Sequence, residues 1–269
     1  MEAPVVARKY SVTNLIKSSG LLPDIGLLVS AWDESKSVDE NFDAAIRQNL
    51  FGKASRQRVA DMLKVFRQRY LPNDGSDQAF RVFVGSSLPS EVTDRVVYYY
   101  TALAEPALYD FVVDYLYPLY LRGERSLTIR RPLEFLAEAI RQGRTAGTWE
   151  SDITRKRVAQ GLLSTLRDFG LLAGAVKSAE KTLAPARLPT LAFAFIAFHL
   201  KRGEPSGERL VRHRHWQLFF LGPQEVEHAF AEAAAEKLLS YQAAGSIIRI
   251  EFPTSDFLEY AHALVGRTF

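Results

Sequence analysis

The spacing of apolar residues predicts a chain built mainly of α-helices. From Val12 to about Leu121 they recur every three to four positions, and the breaks fall at turn-forming residues. A first helix is expected over Ser11–Ser19, stopped by Gly20 just past its C-cap. Pro23 and Asp24 open a second, carrying Ile25, Leu28, Val29 and Trp32. In "SVDENFDAAIRQNLF", Ser37 is the N-cap and Glu40, three residues on, completes a capping box. "SRQRVADMLKVFRQRYL" gives the next helix, with Val59, Met62, Leu63 and Phe66 on one face and Arg56, Arg58, Arg67 and Arg69 mostly elsewhere. Residues 91–121 hold seven of the eleven tyrosines, interleaved with Val, Leu and Phe at helical spacing. That interleaving reads as core, with hydroxyls reaching the surface, in preference to a base-stacking platform. Pro106 suits a first turn, so two helices are expected to meet at Ala104–Glu105.

After Gly123 the pattern changes. "SLTIR" is a short β-branched stretch that predicts a strand. "RPLEFLAEAIRQG" predicts a helix with Pro132 near its start and Gly143 at its end, followed by the loop "RTAGTW". The stretch 151–172, "SDITRKRVAQGLLSTLRDFGLL", is an amphipathic helix ending at Gly170. Its apolar stripe is Val158, Leu162, Leu166 and Phe169 with Thr165. Lys156, Arg157, Gln160, Ser164 and Arg167 point outward, while Arg155 flanks the stripe and has to snorkel. "LLAGAVKSAEKTLAP" is hairpin-like, and "LPTLAFAFIAFHL" is a buried helix, because a membrane span needs about 20 apolar residues and this stretch is shorter. Beyond Gly203, "VEHAFAEAAAEKLLSYQAAG" is strongly helix-forming, "SIIRIEF" is the clearest strand and "SDFLEYAHALV" a last helix. No internal repeat or low-complexity segment is apparent. These patterns divide the chain into a helical domain over 1–121, a basic winged-helix-like module over 122–203 and a C-terminal strand/helix cap over 204–269.

Charge adds what periodicity does not. Residues 1–121 carry 13 Lys+Arg against 15 Asp+Glu, residues 122–214 carry 18 against 9, and residues 215–269 carry 3 against 7. A basic middle between acidic flanks is the asymmetry expected of a module that meets nucleic acid. The outward face of 151–172 combines cations with short polar donors, which suits a helix in the DNA major groove: Arg and Gln reach base edges, Lys and Ser hold phosphates. A helix, a loop, this basic helix and a polar hairpin form the layout of a winged helix-turn-helix, with Lys177 and Lys181 in or beside the wing as phosphate contacts. The same cations also fit a solvated face or one that docks an acidic protein partner.

Enzymatic constellations are missing. The chain has no cysteine, which removes thiol nucleophiles, disulfides and cysteine-based metal sites. "LFGKAS" has the Gly-Lys of a phosphate loop but neither its first glycine nor a preceding strand, and reads as a helix break with Ser55 as the next N-cap. Asp110 and Asp114 share a helix face at a spacing common on solvated helices. His213 and His215 lack an acidic neighbour other than Glu208, so an exposed or partner-facing basic segment is expected, and His199 reads as a satisfied half-buried residue. No enzyme activity, cofactor or metal is expected. The first thirty residues lack the features of a signal peptide, so a cytoplasmic protein is expected.

Three stretches in order, "YSVTNLIKSSGLLPDIGLLVSAW", "NLFGKASRQRVADMLKVFRQRYL" and "TWESDITRKRVAQGLLSTLRDFGLL", resemble the BrxA proteins of BREX bacteriophage-resistance systems. The resemblance runs from about residue 9 to 200 and is most specific in Asn49-Leu50, Ser55, Arg58 and Arg69. It implies a mainly α-helical cytosolic protein with an overall similarity to the antitermination factor NusB. It also implies binding to double-stranded DNA without catalysis, beside other BREX proteins that include a methyltransferase, an ATPase and a phosphatase-like protein. Some descriptions of the family suggest an inner-membrane protein, which the shortness of the apolar stretch argues against. Two alternatives stand beside DNA binding: an adaptor that binds only protein partners, and RNA binding in the manner of NusB.

Overall fold

The structure, a computed structural model, describes residues 9–11, 22–72, 74–147, 149, 151–175, 178–245 and 247–266. The helix expected over Ser11–Ser19 lies outside the described residues. Helices dominate the described residues, joined by a few short antiparallel strands. In chain order they are α1 (Leu22–Ser30), α2 (Val38–Arg47), α3 (Arg56–Tyr70), α4 (Asp77–Val84) and α5 (Ser90–Ala104). Next come α6 (Pro106–Asp110), a π-helical segment (Phe111–Leu116) and α7 (Tyr117–Leu121), then β1 (Ser126–Thr128), α8 (Arg130–Arg141), α9 (Asp152–Asp168), β2 (Leu172–Ala173) and β3 (Glu180–Leu183). The chain ends with α10 (Thr190–Lys201), α11 (Gly207–Val211), a 3₁₀ segment (Arg214–Phe219), α12 (Pro223–Ala235), β4 (Ser240–Ala244), β5 (Ile247–Glu251) and α13 (Phe257–Val265).

Local sequence chemistry sets many of these boundaries. The Ser37–Glu40 capping box forms in full at the start of α2, satisfying two backbone donors that the helix leaves open. Ser55 accepts from the Arg58 amide at the start of α3. Gly143 and Gly170 follow α8 and α9 at φ 66° and 70°, a left-handed conformation that glycine adopts without a side-chain clash.

Packing divides the described residues into two compact units. One comprises residues 102–186 with 9–11 and 217–220; the other comprises 22–101, 187–216 and 221–266. The charge-based division at 122 and 204 therefore does not coincide with the packing. Residues from 204 onward do not stand alone as a cap: α13 packs on α4 and α10, and β5 on α11, all inside the second unit. Of the 18 cations in 122–214, Arg187, Lys201, Arg202, Arg209, Arg212 and Arg214 belong to that unit and the other described ones to the first.

The second unit is held by aromatic packing. Phe193, at 0% exposure, stacks on Trp216 at 4.7 Å and meets Phe230 edge-on at 4.8 Å. Tyr70 stacks on Phe80 at 5.1 Å, and its hydroxyl shares a 2.7 Å hydrogen bond with Thr101. Tyr98, Tyr99 and Tyr100 are all buried, as the interleaving predicts, but at 2% exposure or less their hydroxyls do not reach the surface as expected. Two further expectations are corrected here. Arg69, grouped with the outward arginines of α3, is buried. "SYQAA", assigned to a long helix, is β4: α12 ends after Ala235, Lys237 turns to φ 56°, and β4 pairs with β5 from Ser240↔Glu251 to Ala244↔Ile247. The ladder to β5 overrides the helix propensity of the alanines.

In the first unit, β1, β3 and β2 form an antiparallel sheet in that order, with Leu127 opposite Lys181 and Leu172 opposite Leu183. The strand expected from "SLTIR" and the hairpin expected after Gly170 are the same sheet. The chain order is thus strand, helix, helix, hairpin, and the first strand closes onto the far arm of the hairpin.

Candidate nucleic-acid interface

The candidate interface is built on α9. Val158, Leu162, Thr165, Leu166 and Phe169 are buried, so the apolar stripe lies where the 3.6-residue period puts it. Opposite it, Lys156, Arg157 and Gln160 are exposed, and among the described residues none of the three has an ion pair or side-chain hydrogen bond. Ser164 and Arg167 are half-buried, and Arg167 donates to Asp168 at 2.9 Å. Arg155 lies at the edge of the stripe, as expected, and pairs with Asp152.

Other cations of this unit are mostly paired. Arg122 and Arg131 meet Glu124, Arg130 meets Glu134, Arg141 meets Glu138, and Arg144 meets Asp110. Arg125 lies over the Tyr120 ring, 3.6 Å from its centroid. Against that background Lys156 and Arg157 stand out as adjacent, exposed and uncompensated.

The loop that leads into α9 is fixed by an element the sequence pattern did not single out. The Tyr10 amide donates to the Arg144 carbonyl at 2.7 Å, and the Ala146 amide donates back to the Tyr10 carbonyl at 2.9 Å, a parallel bridge of one residue pair. The Tyr10 phenol donates to Asp110 Oδ2 at 2.7 Å, and Arg144 completes the cluster on the same carboxylate. Burial and the neighbouring Asp110 raise the Tyr10 pKa well above its ordinary value, so the phenol keeps its proton. Asp110, weighed with Asp114 as a carboxylate pair, therefore serves as the anchor of this loop, and the buried Trp149 donates its indole N–H to the Ala146 carbonyl at 3.3 Å.

The two expected wing lysines fare differently. Lys177 lies outside the described residues. Lys181 sits on β3 with 8% exposure, and its ammonium donates to the Ala175 carbonyl. A lysine so placed braces the hairpin and does not present its charge to solvent, because the pairing of β3 with β1 puts position 181 on the inner face. Sequence reasoning also missed Ile153, which is 66% exposed on the same side of α9 as Gln160 and Ser164. The helical period places it there, and its apolar character is the signal that was available.

The histidines weighed for metal binding sit in the second unit. The Tyr99 hydroxyl lies 3.0 Å from both His199 Nδ1 and His215 Nδ1, and His199 Nε2 lies 3.4 Å from Asp74. His199 is half-buried and satisfied, as expected. His213 and His215 are half-buried around the same core, not exposed or partner-facing. Burial pushes the His215 pKa down to about 3, helped by His213, His199 and Arg214, and lowers that of His213 in the same way. Asp74 is held below the usual carboxylate range, chiefly by His199 and then by Ser76.

No helix among the described residues is long and apolar enough to cross a membrane. No curated protein matches the sequence. A family model, that of BrxA, matches residues 8–199, a span that takes in α9, the hairpin and the Tyr10 bridge. Because that match covers most of the chain, the protein belongs to the BrxA family.

Proposed function

We propose that this protein is a non-catalytic, duplex-DNA-binding component of a BREX phage-resistance assembly, working in the cytoplasm beside other BREX proteins. BrxA family membership carries the link to BREX. In this reading β1, α8, α9, β2 and β3 form a winged helix-turn-helix, and α9 enters the major groove. Lys156 and Arg157 reach phosphates, Gln160 reaches a base edge, and Ser164 and Arg167 extend the contact.

One observation carries the DNA reading: Lys156 and Arg157 are exposed and uncompensated in a unit whose other cations are mostly paired. Neither cation has a counter-charge among the described residues, and a polyanionic partner supplies one. Lys181 drops out of the contact set, since its ammonium is engaged within the hairpin.

The test is duplex binding against salt, wild type beside Lys156→Ala/Arg157→Ala. Log affinity should fall linearly with log salt, and removing two phosphate contacts should reduce the slope by roughly 1.8, at about 0.9 per contact. An unchanged slope in the variant, or no binding at low salt, sinks the reading. An adaptor role has one observation in its favour, the exposed Ile153 in the middle of the face. It predicts salt-insensitive capture of a BREX protein that Ile153→Asp abolishes.

A further inference from the structure

The turn that aims α9 is one that local sequence leaves loose. Between α8 and α9 the chain passes through Gly143 and Gly147 at φ 66° and 78°, and a Cβ at either would meet nothing within 4 Å. Glycines in open space permit many backbone directions, so they do not by themselves fix how the next helix leaves the turn. The Arg144 amide still belongs to the end of α8, donating to the Ala139 carbonyl at 2.9 Å. Past that bond, among the described residues, the backbone of 144–146 is held by Tyr10 on one side and by the Trp149 indole on the other.

Tyr10 touches every element around that turn. Its ring stacks on Phe135 of α8 with centroids 5.9 Å apart and planes 24° apart, and Phe135 in turn meets Phe111 of the π-helical segment at 5.1 Å. Its phenol reaches Asp110 at the end of α6, 100 positions along the chain, on the carboxylate that Arg144 also meets. The Arg144 guanidinium lies over the Tyr10 ring, 5.1 Å from its centroid. One residue therefore ties α6, α8 and the turn together. At 0% exposure it presents nothing to a duplex, so any effect it has on DNA passes through the placement of α9.

We infer that Tyr10 is a positioning residue for duplex binding: through its bridge to Arg144 and Ala146 and its hydrogen bond to Asp110 it holds α9 in the binding-competent arrangement without meeting the DNA. The inference rests on the reading of α9 as a DNA-contact helix. A residue that meets phosphate changes the salt slope, whereas one that sets the population of the competent arrangement lowers affinity by a constant factor. The experiment follows duplex binding over a salt series for full-length wild type, Tyr10→Phe, Asp110→Asn and the double variant, at a temperature where circular dichroism shows them folded. Tyr10→Phe should bind roughly tenfold more weakly at every salt concentration with the wild-type slope, the scale expected for losing one hydrogen bond to a carboxylate. Hydrogen exchange at the Ala146 amide should quicken in the same variant. Asp110→Asn should act alike, and the double variant should lose no more than the weaker-binding single one, since both changes fall on one cluster. If Tyr10→Phe does not fold, Asp110→Asn carries the same comparison. Wild-type affinity in the folded variants, even with a lowered melting temperature, overturns this inference and leaves the α9 reading standing. A shallower slope for Tyr10→Phe, additive losses in the double variant or unchanged exchange at Ala146 also overturn it. Absence of wild-type binding at low salt sinks the α9 reading itself.

Discussion

The two compact units differ in how many cations they bury: Arg69, Arg81 and Arg95 in one, Lys181 in the other. In the unit built on residues 102–186, cations lie mostly at the surface in local ion pairs, Lys181 is buried within the hairpin, and buried Tyr10 joins the half-buried Asp110 and Arg144 in holding the loop before α9. The other unit also carries surface ion pairs but sends more charge inside: Arg69 and Arg81 are buried, Arg81 holding Glu34 at 3.0 Å and Asp77 at 2.8 Å, and three histidines gather round Tyr99. A buried charge or ring is committed to the fold, because separating it from its partner leaves an uncompensated group out of water. An exposed unpaired charge is available to a partner. The contrast therefore assigns acid sensitivity to one unit and makes the cations of α9 readable as a surface.

The largest expected effect tests whether the aromatic cluster is the stabilising centre of its unit. Phe193→Ala removes a fully buried ring from between Trp216 and Phe230 and should cost about 3–5 kcal/mol in urea unfolding followed by Trp fluorescence. A cost below about 1 kcal/mol would place the centre elsewhere.

Acid sensitivity comes next. His215 has a folded pKa of about 3 against an unfolded value near 6.5, so the unfolded chain takes the proton first. Stability is complete above pH 6.5 and is lost as pH falls toward 3, by about 2 kcal/mol at pH 5, with His213 acting in the same direction. Asp74 acts in a lower window, since its depressed pKa contributes stability that is lost only below the ordinary carboxylate range. His215→Gln should flatten the profile between pH 5 and 6.5, and an unaltered profile would show that the histidines do not carry it.

The smallest effect separates neighbours on α9. Arg155 is tied to Asp152, an exposed carboxylate, so Arg155→Ala should change stability by no more than about 1 kcal/mol and leave the DNA salt slope within error of wild type. Lys156→Ala, one residue on, should lower that slope by about 0.9. Equal slopes for the two variants would erase the distinction between the flank of the helix and its outward face.

The sequence by itself determined the elements whose signals are local. The Ser37–Glu40 box, Ser55, Pro106 and the glycines after α8 and α9 act within a few residues, and the apolar period on α9 put its buried face where it lies. The short strand, the hairpin and the tyrosine core were legible for the same reason. Only the tertiary structure decided the rest. β4 exists because β5 offers it a ladder, and a pairing partner in the next strand outweighs helix propensity that a single segment displays. α4 carries Ala79, Phe80 and Phe83 into a core completed by α13, far along the chain, and its eight residues are too few to announce a period. Burial of Lys181, the regrouping of the basic middle into two units and the pairing of most surface arginines depend on which segments meet, and formal charge along a chain carries no record of neighbours in space.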